Sequence, residues 1–171
     1  YHEGIIATSC CLGAEVPQAI MHGLLEEAEE KLKWWLNLFG EDYYVELQRH
    51  SGLEKLDYRD RNGNKAISKY SQEDINQILI GFAKKHNIKI IATNDVHYVE
   101  EEDWQAHDML LCINTGSIVE DENRFKFSSS DFYFKSQKEM NQLFSDVPDS
   151  IANTIEIYDK IDTLSLARDI L

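Results

Sequence analysis

The sequence is poor in the residues that punctuate or staple a chain. Two prolines and eight glycines among 171 residues exclude collagen-like and Pro/Gly low-complexity readings. Three cysteines, two of them adjacent, cannot build a disulfide framework and favour a reducing, cytoplasmic setting. No apolar run approaches the roughly 20 residues of a membrane span, so no membrane partner is expected. Positive charge is scarce too. Against 31 Asp+Glu stand only 17 Lys+Arg, a formal net charge of −14, whereas gripping DNA or RNA needs clustered basic residues. A Gly-rich phosphate loop, a G-x-S-x-G elbow and a CxxC pair are all missing, which excludes P-loop nucleotide hydrolysis and α/β-hydrolase chemistry. What is present is a 43% hydrophobic, 11% aromatic composition, enough for a real core, in a length suited to one domain or a large piece of one. The opening at Tyr1 just before a strand-like run, and the end at Leu171 inside an apolar pattern, read as a cut piece of a longer protein.

Periodicity predicts strands at Gly4 to Ser9, Tyr43 to Arg49 and Lys89 to Asn94, with a short one at Phe132 to Phe134. Between them fall a short helix around Pro17, a helix from Leu24 to Phe39 stopped by Gly40, and a helix opened by Ser71 and Asp74 and ended near Asn87. Asp103 is expected to cap a helix through Ile113, and two more helices are expected at about 136–145 and 149–161. Residues 51–70 read as a polar connection around an Asn62-Gly63-Asn64 turn, and 114–130 as an irregular loop. Strands alternating with helices describe an α/β sheet with right-handed crossovers. The chain is too short for a closed barrel, so an incomplete barrel or an open sheet is expected.

Period two then indicates where chemistry can sit. Thr93, Asp95 and His97 share one face if the strand stays extended, which brings a carboxylate and an imidazole just past its C-terminal edge. Such a pair suits a divalent metal; a local cap and turn is the alternative reading. Cys11 shares a face with Ser9 at the end of the first strand and offers a thiolate, or else is a small packed residue, the reading given to Cys10 and Cys112. In the second strand Tyr43, Val45 and Leu47 form an apolar face, while Tyr44, Glu46, Gln48 and His50 form a polar one. That polar face either lines a site or is half exposed. His107, next to Asp108, either supports the site or serves local structure. His86, near a helix C-terminus, fits a dipole role.

Several segments resemble one family in order along the chain. Gly4 to Glu15 (GIIATSCCLGAE) is similar to the "GLIALSGCLGGE" segment of the PHP (polymerase and histidinol phosphatase) domain in the bacterial DNA polymerase III alpha subunit. Tyr44 to His50 (YVELQRH) resembles its "YLELQRH", and Ala92 to Tyr98 (ATNDVHY) its most distinctive motif. Ala106 to Ile113, Tyr133 to Ser136, Glu139-Met140 and Ala152 to Thr154 follow in the family's order. The resemblance implies a distorted (β/α)7 barrel of PHP type, of which residues 1–171 are the C-terminal portion, with the first strands and the polymerase core outside the chain. It also implies a cluster of divalent ions, zinc or manganese, at the strand ends, with Cys11, Asp95 and His97 at ligand positions; Glu46, Gln48 and His50, from the polar strand face, and His107 are the possible site-lining residues read from the pattern itself. Cys10 stands where the family usually has glycine.

The functions so implied belong first to the parent protein: DNA-templated DNA synthesis, with magnesium at a polymerase site outside this chain, and DNA, a proofreading subunit and a sliding clamp as partners. The PHP site itself is a candidate metal-dependent phosphoesterase or 3′–5′ exonuclease; the alternative is an inert scaffold that stiffens the polymerase or docks a replisome subunit. No catalytic residue is assigned within the chain, the isolated piece is expected to be inactive, and its uncovered strand edge is expected to favour self-association.

Overall fold

A computed structural model describes residues 2–60 and 62–163. The apolar pattern running on to Leu171 lies outside the described residues. The centre of the fold is a three-stranded parallel sheet in the order β1-β2-β5, made of Ala7–Thr8, Tyr43–Gln48 and Lys89–Thr93. β2 is the middle strand, with Ala7 opposite Tyr43 on one side and Gln48 opposite Thr93 on the other.

Alternation in β2 decides which face is dry. Tyr43, Val45 and Leu47 are fully buried and pack against α1 (Glu15–Met21), α2 (Leu25–Phe39) and α3 (Gln72–His86). Burying each of these side chains stabilises by roughly 1.5–3 kcal/mol. α2 contributes Ala28 and Leu32 from its apolar stripe. α3 begins with the expected capping box, in which the Ser71 hydroxyl accepts from the Asp74 amide while the Asp74 carboxylate accepts from the Ser71 amide. It ends at Asn87 in the left-handed conformation, which asparagine tolerates better than most residues.

The opposite face of the sheet is polar and internally bonded. Glu46 joins all three strands: Thr8 Oγ1 donates to one carboxylate oxygen at 2.5 Å, and Thr93 Oγ1 and Gln48 Nε2 donate to the other. At the far end of β2, the Tyr44 hydroxyl donates to Glu156 at 2.8 Å, tying the sheet to α6 (Asp149–Lys160).

Three expectations need correction. Residues 51–70 are more than a connection: β3 (Asp57–Arg59) and β4 (Lys65–Ile67) pair antiparallel around the Asn62-Gly63 turn, so the strict alternation of strand and helix is broken. The strand expected at Phe132 to Phe134 reduces to one bridge between Tyr98 and Tyr133. Asp103 accepts from the Glu100 amide in a short 3-10 turn, so it stabilises the lead-in and does not cap α4 (Trp104–Thr115) through its side chain. Within α4, Cys112 is buried as expected, whereas Met109, Leu110 and Ile113 are exposed. α5 (Gln137–Leu143) and α6 lie close to their expected spans. The mixed α/β class holds, with a parallel sheet at its centre.

Candidate metal-binding rim

All three sheet strands run the same way, so their C-terminal ends open on one edge, where α/β folds place ligands. β1 leads to Cys11, β2 to His50, and β5 to Asp95 and His97. Cys11 and Asp95 border the same cavity of about 550 Å³, together with Gln48 and His50.

The backbone reaches these positions by turns. Cys10 sits at φ +60°, with its amide donating to Thr8 Oγ1, and this left-handed residue swings the chain so that Cys11 lies half-buried while Cys10 is exposed. The small-core reading of Cys10 is therefore corrected. The glycine usual in the resembling family also has a physical reason here, since only glycine adopts that φ without steric cost. Asp95 likewise lies at φ +47°, which ends the extended run on which the shared-face argument depended. The Asp95 and His97 side chains nonetheless approach, with His97 Nε2 at 3.4 Å from the carboxylate. The segment is held from behind: Asn94 Nδ2 donates to the carbonyls of Asp131 and Tyr133, and the His97 amide donates to Phe132.

The remaining side chains have defined work. His50 uses both ring nitrogens, with Nε2–H donating to the Asn94 carbonyl at 3.0 Å and Nδ1 accepting from Gln72 at 3.3 Å, while its ring stacks on Phe132. Burial disfavours the imidazolium, so its pKa is lowered and the neutral ring is the form that fits. His50 thus lines the cavity as a fixed wall between β2 and β5. Glu46 is occupied by its three donors below the rim. His107, on α4, stands 5.4 Å ring to ring from His97, and Phe127 packs against both. Its pKa is lowered by burial and then by His97. His86, read from sequence as a dipole partner, contacts Glu29 on α2 at 2.6 Å.

Thiol, carboxylate and imidazole are donor types of the kind zinc accepts. Geometry adds a constraint. β1 and β5 flank β2, so the strands carrying Cys11 and Asp95 are separated by two inter-strand spacings, about 9–10 Å at the sheet. Among the described residues no three His, Cys, Asp or Glu side chains gather closely enough to hold an ion by themselves.

Residues 1–50 match the PHP domain family. Over 166 residues the chain is 37% identical to the DNA polymerase III subunit alpha of Borreliella burgdorferi, covering 97% of this chain and 13% of that protein. It is 41% identical over 142 residues to the same subunit of Deinococcus radiodurans (83% and 9%) and 36% identical over 158 residues to that of Thermus aquaticus (91% and 12%). The chain is a homologue of the PHP-bearing segment of DNA polymerase III alpha subunits, the family its motifs resemble. It spans 13% or less of the length of these three relatives.

Proposed function

We propose that the chain is the C-terminal portion of a PHP domain, an incomplete (β/α)7 barrel within a cytoplasmic replicative polymerase, and that Cys11, Asp95 and His97 supply part of its divalent metal cluster. The observation that carries this reading is that Cys11 and Asp95 border one cavity at the C-terminal edge of the sheet, with His97 against Asp95. Bound there, zinc or manganese would lower the pKa of a water and polarise a phosphodiester. The chain's own contribution is to aim donors: left-handed turns at Cys10 and Asp95 set two of them, and His50 and Glu46 hold the strands between. DNA synthesis, its magnesium site, and contacts to DNA, clamp and proofreading subunit belong to the parent protein, and the isolated chain performs no nucleotidyl transfer. In the full-length parent, Asp95→Ala should lower bound zinc or manganese; metal content by elemental analysis that stays at the wild-type level refutes the ligand assignment.

A second reading, a scaffold without hydrolysis, draws support from His50, whose two ring nitrogens are both engaged in structural bonds. Exonuclease assays of the parent on a 3′-labelled primer separate the two: metal-dependent trimming abolished by Asp95→Ala supports hydrolysis, and its absence supports the scaffold.

A further inference from the structure

The cavity beside the rim is far less acidic than the chain as a whole. Carboxylates outnumber Lys+Arg by 31 to 17 overall, yet the cavity is bordered by Lys55, Arg124 and Lys126 against Asp57 and Asp95. Arg124 is committed elsewhere: its guanidinium forms two 2.6 Å bonds to the Asp108 carboxylate on α4. Among the described residues Lys55 and Lys126 have no ion-pair partner.

The segment carrying Lys126 is irregular but fastened at both ends. Arg124 anchors it to α4. Beyond it, Ser128 Oγ donates to the Ser51 carbonyl at 3.3 Å, and the Ser51 amide donates to Asp131 at 2.6 Å. Gly52 permits this approach, since a Cβ there would lie 2.9 Å from the Ser128 carbonyl oxygen. Between the two anchors Phe127 turns inward, 4.6 Å from the His97 ring and 4.5 Å from Phe132. Phe125 instead leaves 60% of its surface in water at the cavity wall, with its ring edge-on to Phe127. A phenyl ring held out by a loop fastened on both sides, in a cavity that Lys55 and Lys126 also border, is a recognition surface for an aromatic anion.

We propose that Phe125, Lys126 and Lys55 form the substrate-recognition wall of this rim and bind a nucleoside monophosphate unit, the base stacking on Phe125 and the phosphate held by the two lysines. The inference deepens the reading above by naming which residues select the ligand, but the wall itself needs no metal. Stacking of a base on an exposed aromatic ring is worth about tenfold or more in affinity.

The test is calorimetric titration of the full-length parent, in chelator, with dAMP, deoxyribose 5-phosphate and inorganic phosphate, wild type against variants so that binding at any other site cancels. The expected result is binding of dAMP about tenfold tighter than of deoxyribose 5-phosphate. Phe125→Ala, at an exposed position, should erase that advantage while leaving the melting temperature and the affinity for deoxyribose 5-phosphate unchanged. Lys126→Gln and Lys55→Gln should each weaken both ligands about threefold to tenfold and reduce the salt dependence. Equal affinity for dAMP and deoxyribose 5-phosphate, no binding of any of the three, or a Phe125→Ala chain that binds like wild type overturns the proposal. Asp95→Ala run in parallel keeps the two readings apart. Loss of metal with dAMP binding retained supports both, and retained metal with dAMP binding intact refutes only the ligand assignment.

Discussion

Cys10 and Asp95 are the two residues at the rim whose backbone does what their side chains make costly. Both have positive φ, and a non-glycine residue in the left-handed region costs roughly 1–2 kcal/mol. The Cys10 side chain is exposed, so Cys10→Gly should stabilise by about 0.5–1 kcal/mol through relief of the left-handed strain, read as a higher urea midpoint. A lower midpoint contradicts the strain argument. The sequence signals at this scale were uneven. Cys11, Asp95 and His97 were visible as donor types at strand ends. The left-handed turns that direct them were not read, because alternation assumes an extended chain; the family's glycine at the Cys10 position was the one hint of positive φ.

Arg49 shows a residue whose importance pattern reading missed. Its guanidinium bonds both Glu73 and Asp146, donates to the Leu143 carbonyl at 2.7 Å, and lies over the Phe144 ring. It thereby joins the end of β2 to α3 and α5. The Arg49 guanidinium holds Asp146 below the ordinary carboxylate range. A lowered folded pKa gives stability that is complete above the unfolded value near 4 and is lost as pH falls through the folded one. Both carboxylates are about half exposed, so solvent screening limits the contribution. Arg49→Gln should cost about 1–2 kcal/mol at pH 7, with the gap to wild type narrowing below pH 4. A gap independent of pH in denaturant titrations would show that Arg49 acts by packing alone.

At the scale of elements, helices were legible and short strands were not. α2 and α3 span 15 residues each with stripes at helical spacing, and α3 carries a complete capping box. Ser71→Ala should therefore destabilise by about 1 kcal/mol, read as a lower thermal midpoint, while Ser71→Asp should stay near wild type. β3 and β4 are three residues each, with single half-buried positions at Tyr58 and Ala66, too short for period two to rise above a polar connection. In α4 the apolar residues at 106, 109, 110 and 113 follow helical spacing, yet they face outward. A helical stripe reveals that a face wants cover and says nothing about what covers it.

For the whole molecule, the parallel sheet places every strand end that carries a donor on one edge, and the relatives are several times longer than this chain. β1 and β5 each leave one edge without a sheet partner among the described residues. At moderate salt, which screens the −14 charge, the isolated chain is expected to self-associate, and a strictly monomeric mass by light scattering counts against that. The donor set remains the centre of the account. It is tested most directly by anomalous diffraction at the zinc and manganese edges from crystals of the full-length parent. The account predicts peaks along the rim, one bonded to the Cys11 sulfur and one to the Asp95 or His97 side chain. A rim with no anomalous peak, or ions bound only to other residues, would contradict it.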